Sequence, residues 1–126
     1  MVLKMGIDVE RLHRYGGSIK ATKFFEEVIT FGSVDVDQEI IIFLGEQSGI
    51  KAVVFYGSKF FDVDFSKLNG SGVEVVSVIN TNFDRNNLWQ MKDVDSLKTL
   101  SVFDSLVCDK DAKEFLNVRP DVDLRS

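Results

Sequence analysis

The sequence predicts an α/β solenoid: short parallel strands on a concave face, helical or tightly turned returns on the convex face, and a helical cap in front. Three observations predict it. The apolar pattern Leu97-x-x-Leu100-x-Val102 recurs as Val73-x-x-Val76-x-Val78, Ile50-x-x-Val53-x-Phe55 and Phe25-x-x-Val28-x-Thr30. A period in the twenties belongs to units that cannot bury their own apolar face and stack to share a core. Counting the first apolar residue as zero, position eight is always a small hydroxyl residue: Ser33, Ser58, Thr81 and Ser105. Positions fifteen (Ile40, Phe65, Leu88, Ala112) and eighteen (Phe43, Leu68, Met91, Phe115) lie one helical turn apart.

Residues 1–24 fall outside the repeat and are expected to cap the core. Within them Ile7 to Tyr15 fits a short helix, with Asp8 as N-cap, Leu12 and Tyr15 on one side, and Gly16-Gly17 as the stop. Residues 25–121 form four repeats, each a strand, a turn and a return. A hydroxyl at position eight bonds backbone groups that the turn leaves free. Asp37, Asp62 and Asp109, with Asp84 one place early, precede the returns as N-caps should. In the first unit the apolar residue of position ten arrives one place late, at Val36. The second return, bounded by Asn69-Gly70-Ser71-Gly72, has room for little more than one turn. Arg119-Pro120 stops the last helix. Residues 122–126, with Val122-Asp123-Leu124, supply a terminal edge strand whose acidity and shortness discourage end-to-end stacking.

This pattern resembles the leucine-rich-repeat family, whose consensus is L-x-x-L-x-L-x-x-N/C-x-L. Leu97, Leu100, Val102, Ser105 and Val107 follow it, as do Val73, Val76, Val78, Thr81 and Phe83. The likeness spans residues 25–124 and is closest to units with helical convex sides, as in ribonuclease-inhibitor-like proteins. Leucine gives way to Val, Ile or Phe, and Ser or Thr stands at the Asn/Cys position, so the array is a degenerate one. The resemblance implies a right-handed solenoid that binds protein through its concave strands and performs no chemistry.

Composition narrows the function classes. The chain has 126 residues and a net charge of −5, which disfavours a phosphate-backbone binder and suits a basic protein partner. With one cysteine, Cys108, no disulfide closes within the chain. No apolar run reaches the length of a membrane span and no signal peptide opens the sequence, so the expected compartment is the cytoplasm. His13 is the only histidine, which leaves a hydrolytic triad or His-rich zinc site nothing to draw on; it reads as a surface residue of the cap helix. Cys108 reads as a small core or turn residue. The glycine-rich segments match neither phosphate-binding loop. No catalytic residue, metal or cofactor is expected.

Strand alternation then selects the candidate site. Positions two, four and six face away from the core. Position six is Phe31, Tyr56, Ile79 and Phe103; position four includes Ile29 and Val54. An apolar row of this kind is either a partner surface, an aromatic ladder covered by residues 1–24, or a homodimer interface. Stacking also sets Asp37 and Glu39, Asp62 and Asp64, and Asp109 and Asp111 along one rim, either as helix caps and first-turn acids, or as a strip facing a basic partner or a loose Ca²⁺ site. Trp89 either packs beneath a neighbouring return or offers a second contact. The expectation is a non-enzymatic binding module, of the kind an immunity or antitoxin protein represents. The alternative is a structural or assembly factor that uses the same face as an obligate subunit interface.

Overall fold

The computed structural model describes residues 7–21 and 27–126. Among them the chain is a mixed α/β structure with a mostly parallel sheet and four α-helices. Phe25, the expected opening of the first unit, lies outside the described residues, as do residues 1–6 and 22–24 of the expected cap.

Helix α1 (Val9–Arg14) forms where capping chemistry calls for it. The Asp8 carboxylate accepts the Arg11 N–H, and Tyr15 ends the helix just before Gly16. The chain then makes a strand that the repeat does not announce. β1 (Gly17–Lys20) pairs antiparallel with β2 (Val28–Gly32) and forms one edge of the sheet.

From β2 onward the strands run parallel. The sheet order is β1, β2, β4 (Ala52–Tyr56), β6 (Val75–Ile79), β7 (Thr99–Ser101) and β8 (Asp123–Arg125). A two-stranded parallel ribbon, β3 (Asp35–Val36) with β5 (Lys59–Phe60), lies just past the ends of β2 and β4. The register aligns the repeat positions: Val53 pairs with Val76 and Val76 with Leu100, while Phe55 pairs with Val78. The expected final edge strand is present, one residue later than Val122-Asp123-Leu124.

The first unit is displaced by one residue from the expected frame. Ile29 pairs with Val53 and Phe31 with Phe55, so Ile29 and Phe31 take the core positions assigned to Val28 and Thr30. Side chains alternate along a strand, so a one-residue slip exchanges its two faces. The late arrival of Val36 belongs to the same displacement.

The returns are α2 (Gln38–Glu46), a 3₁₀ turn at Phe65–Leu68, α3 (Arg85–Gln90) running into a second 3₁₀ turn at Met91–Asp93, and α4 (Asp109–Val118). They lie side by side in chain order, each against the next. Asp37 and Asp84 are N-caps as expected, and Asp84 makes a full capping box with Asn87. Asp62 and Asp109 are not. Asp64 caps the 3₁₀ turn, and Cys108 stands at the N-cap of α4, leaving Asp109 as its first residue. Gly45 lets α2 reach the next return, because a Cβ there would overlap the Lys67 carbonyl.

One core fills the space between sheet and returns. Ile29, Phe31, Val53, Phe55, Val76, Val78 and Leu100 enter it from the strands, Val102 from just past β7, and Ile41, Leu44, Phe65, Leu88 and Phe115 from the returns. Phe31 stacks on Phe55 at 5.3 Å, and Phe55, Phe60, Phe65 and Phe83 continue edge to face at 5.0–6.3 Å between centroids. Offset and edge contacts of this kind add to what area burial contributes. Side-chain amides tie one unit to the next: Gln90 Oε1 accepts the Phe65 N–H at 3.0 Å, and Asn82 both accepts from and donates to the Phe60 backbone. Arg119 donates to the carbonyls of Lys92, Val94 and Leu97 at 2.9–3.1 Å.

Candidate protein-binding face

Strand residues that do not enter the core form the other face of the sheet, against which no described helix packs. Its row at the end of the strands is set by a shared corner. Ser33, Gly57, Asn80 and Asp104 all have φ between 52° and 63°, the left-handed region. Each is the residue that follows its strand's last outward side chain. Ser33, Gly57 and Asn80 donate their N–H to the carbonyls of Tyr56, Ile79 and Phe103 in the next unit, at 2.9–3.1 Å. Tyr56 and Ile79 therefore end neighbouring strands, and Phe103, in the turn two residues past β7, holds the equivalent place in the next unit.

Hydroxyls support the corner. Ser58 Oγ donates to the Phe31 carbonyl at 3.3 Å, Ser105 Oγ to the Val102 carbonyl at 2.8 Å, and Thr81 Oγ1 accepts the Phe83 N–H at 3.2 Å. These are the bonds expected of position eight. Ser33 is different: in the displaced first unit it is the left-handed residue itself, and Val34 follows.

The exposure of this row is its main property. Tyr56 is 44%, Ile79 39% and Phe103 44% exposed. Val54, expected beside them, is half-buried on the same face. Ile29 and Phe31, expected on it, are fully buried in the core through the one-residue displacement. Gly32 occupies the row's first place, paired with Tyr56. A Cβ at Gly32 would overlap the Tyr56 ring, so the tyrosine lies across the bare glycine. The rest of the face is smaller and more polar: Thr30, held by Ser18 at 2.8 Å, then Ser77 and Ser101. Lys51, Glu74 and Lys98 form an ion-pair ladder at the start of the strands, with contacts of 3.4 and 3.6 Å.

Four of the acids expected on a rim divide by role. Asp64 accepts the N–H and the hydroxyl of Ser66. Asp111 accepts the Cys108 N–H at 3.2 Å and meets Arg85 at 3.8 Å. A hydrogen bond from the Cys108 side chain, then that backbone N–H, holds the Asp111 carboxyl below the ordinary aspartate value, while desolvation opposes them. Asp62 and Asp109 are exposed. Asp62, Asp64 and Asp84 border a polar cleft of about 560 Å³ with Asn82, Asn87 and Gln90, whose amides are engaged in the backbone contacts and the capping box described above. Among the described residues no group of three or more His, Cys, Asp or Glu is placed to hold a metal ion.

Known proteins offer no likeness: no family model matches, nor does any curated protein or solved structure. No described helix is long and apolar enough to cross a membrane. His13 lies on the surface of the first helix, as expected. Cys108 is a turn residue but exposed rather than packed. Trp89 is also exposed, with Lys92 Nζ 5.4 Å from its ring centroid. It sits on α3, apart from the strand row.

Sequence reasoning missed Gly32 as the floor of the row and β1 as the strand beside it. The signal for Gly32 was present. Moving the first unit's start by one residue places both Val36 and Gly32 correctly.

Proposed function

We propose that this chain is a non-enzymatic protein-binding module built as a short leucine-rich-repeat-like solenoid, and that it captures its partner on the sheet face carrying Tyr56, Ile79 and Phe103. The repeat-like architecture is supported by positions three and five lying in register across parallel strands, by left-handed corners at four equivalent places, and by returns that neighbour one another in chain order. The single observation that carries the binding role is the exposed row of two aromatics and an isoleucine at equivalent places in three successive units. Such a row loses water from apolar area when it is covered, and aromatic side chains are frequent anchors at interfaces.

The net charge of −5 favours a basic partner and speeds its approach at low salt. Within this reading the more specific proposal is an immunity- or antitoxin-type inhibitor that blocks a basic toxin by covering it. Ile29 and Phe31 have no part in the proposed contact, being core residues. Tyr56, Ile79, Phe103 and Val54 form it, and the exposed carboxylates of Asp62 and Asp109 contribute long-range attraction.

The test compares the wild-type protein with the Tyr56→Glu/Phe103→Glu double variant in affinity capture from the source cells, with circular dichroism to show that both are folded. A specific basic protein retained by the wild type and lost by the variant is the expected result. Retention by both removes the strand row from the interface. Light scattering on the purified chain reads the alternative, an obligate subunit interface: it gives a tight dimer that the same double variant dissociates.

A further inference from the structure

The far edge of the sheet differs from the strand row in chemistry and in what it leaves open. β8 is an edge strand, and among the described residues nothing pairs with its outer side. Its inner side is committed to β7: the Asp123 N–H donates to Lys98 and the Arg125 carbonyl accepts from Val102, both at 2.8 Å. Backbone groups alternate in direction along a strand, so the N–H and C=O of Leu124 point outward. Asp123 and Arg125 share the face opposite the core, in register with Thr99 and Ser101, and form a 2.8 Å ion pair with each other.

The sequence led us to expect an acidic strand that repels its own kind. Arg125 lies inside β8, so the edge holds one acid and one base and is neutral. In an antiparallel pair of two such strands centred on Leu124, residue 123 of each copy stands opposite residue 125 of the other. Both cross-strand pairs are then Asp against Arg, and the two Leu124 residues exchange two backbone hydrogen bonds. Opposite charges facing each other across strands stabilise pairing, whereas like charges oppose it. The unit beside this edge also carries exposed apolar side chains, with Leu106 66% and Val118 48% exposed.

We infer that β8 docks antiparallel onto β8 of a second copy of this chain, making a two-fold dimer with one continuous sheet. An isologous contact requires that a surface complement itself, and the order Asp123-Leu124-Arg125 does so. In this arrangement the open faces of the two copies lie on the same side of the sheet. Tyr56, Ile79 and Phe103 stay free, and the dimer presents two binding rows at once.

Sedimentation velocity on the full chain over a range of concentrations tests the inference. The wild type is expected to show a reversible monomer–dimer equilibrium. Arg125→Glu sets like charges opposite each other in both pairs and raises the dimer dissociation constant about tenfold or more. Asp123→Arg combined with Arg125→Asp reverses both pairs and restores dimerisation. Leu124→Pro removes a donor that only the dimer uses, at an edge where proline is tolerated, and gives a monomer with native circular dichroism. A wild type that stays monomeric overturns the inference. So does a dimer that survives Arg125→Glu and Leu124→Pro, and so does one that Tyr56→Glu/Phe103→Glu dissociates while Arg125→Glu leaves it intact.

Discussion

Adjacent residues of the same strands have opposite fates here. Phe55 is fully buried and Tyr56, its neighbour, is 44% exposed; Val78 and Ile79 show the same contrast. Both rows are apolar, so hydropathy does not separate them. Their direction from the sheet does, because the returns cover one face only. The buried row carries stability, and the exposed row is available for contact. Substitutions one residue apart should therefore differ severalfold in cost.

The largest effect is expected in the buried row. Phe55 touches Phe31, Phe60 and Phe65, and Phe55→Ala should destabilise the fold by about 3–5 kcal/mol in urea unfolding. A cost near that of a surface change would mean the aromatic core is loose. Next comes the place where the rows meet. Gly32→Val pushes a side chain into the Tyr56 ring, and overpacking of this kind costs about 1–3 kcal/mol unless the tyrosine swings away. Tyrosine fluorescence together with the melting temperature distinguishes the two. Ile79→Ser should change stability by no more than about 0.5 kcal/mol while weakening partner capture. A loss comparable to that of Phe55→Ala would place Ile79 in a core.

The smallest effect concerns acid. Asp111 is held below its ordinary value through Cys108, and Asp121 through a hydrogen bond from Arg119. A carboxylate whose folded pKa is depressed contributes stability that is present above the unfolded value, about 3.9, and is lost as pH falls through the folded one. Asp121 is exposed and Asp111 half-buried at the surface, so the contribution is small. Asp111→Asn should lower stability slightly at neutral pH, flatten the acid limb of the stability–pH curve below about pH 4, and match the wild type once both carboxyls would be protonated. A loss of the same size at neutral and at acid pH would show a packing role instead.

Much of this could be read from the sequence where two signals agreed. α1 was legible because a cap residue, an apolar spacing and a glycine pair coincide within ten residues. The parallel strands from β4 to β7 were legible because position three, position five and the hydroxyl corner recur together. The frame of the first unit was not. Val28, Ile29, Thr30 and Phe31 are all buried, so β2 is covered on both faces and its alternation says little about which residues point inward. The first apolar residue chosen to start that unit, Phe25, carried the error into Ile29 and Phe31. β1 escaped notice because an antiparallel strand of four residues, beginning with glycine, belongs to no repeat. Among the acids, spacing alone could not separate Asp64, which caps a turn, from Asp62, which does not, because the residue that caps depends on where the backbone enters the turn.

Hydroxyl-radical footprinting with mass spectrometry reads the exposure of both rows in the free and the partner-bound protein. In the free monomer Tyr56 and Phe103 should be modified readily while Phe31 and Phe55 are protected, and adding the captured partner should protect Tyr56 and Phe103. If Tyr56 and Phe103 were already protected in the free monomer, or stayed as reactive in the complex, the open face would not be the binding surface.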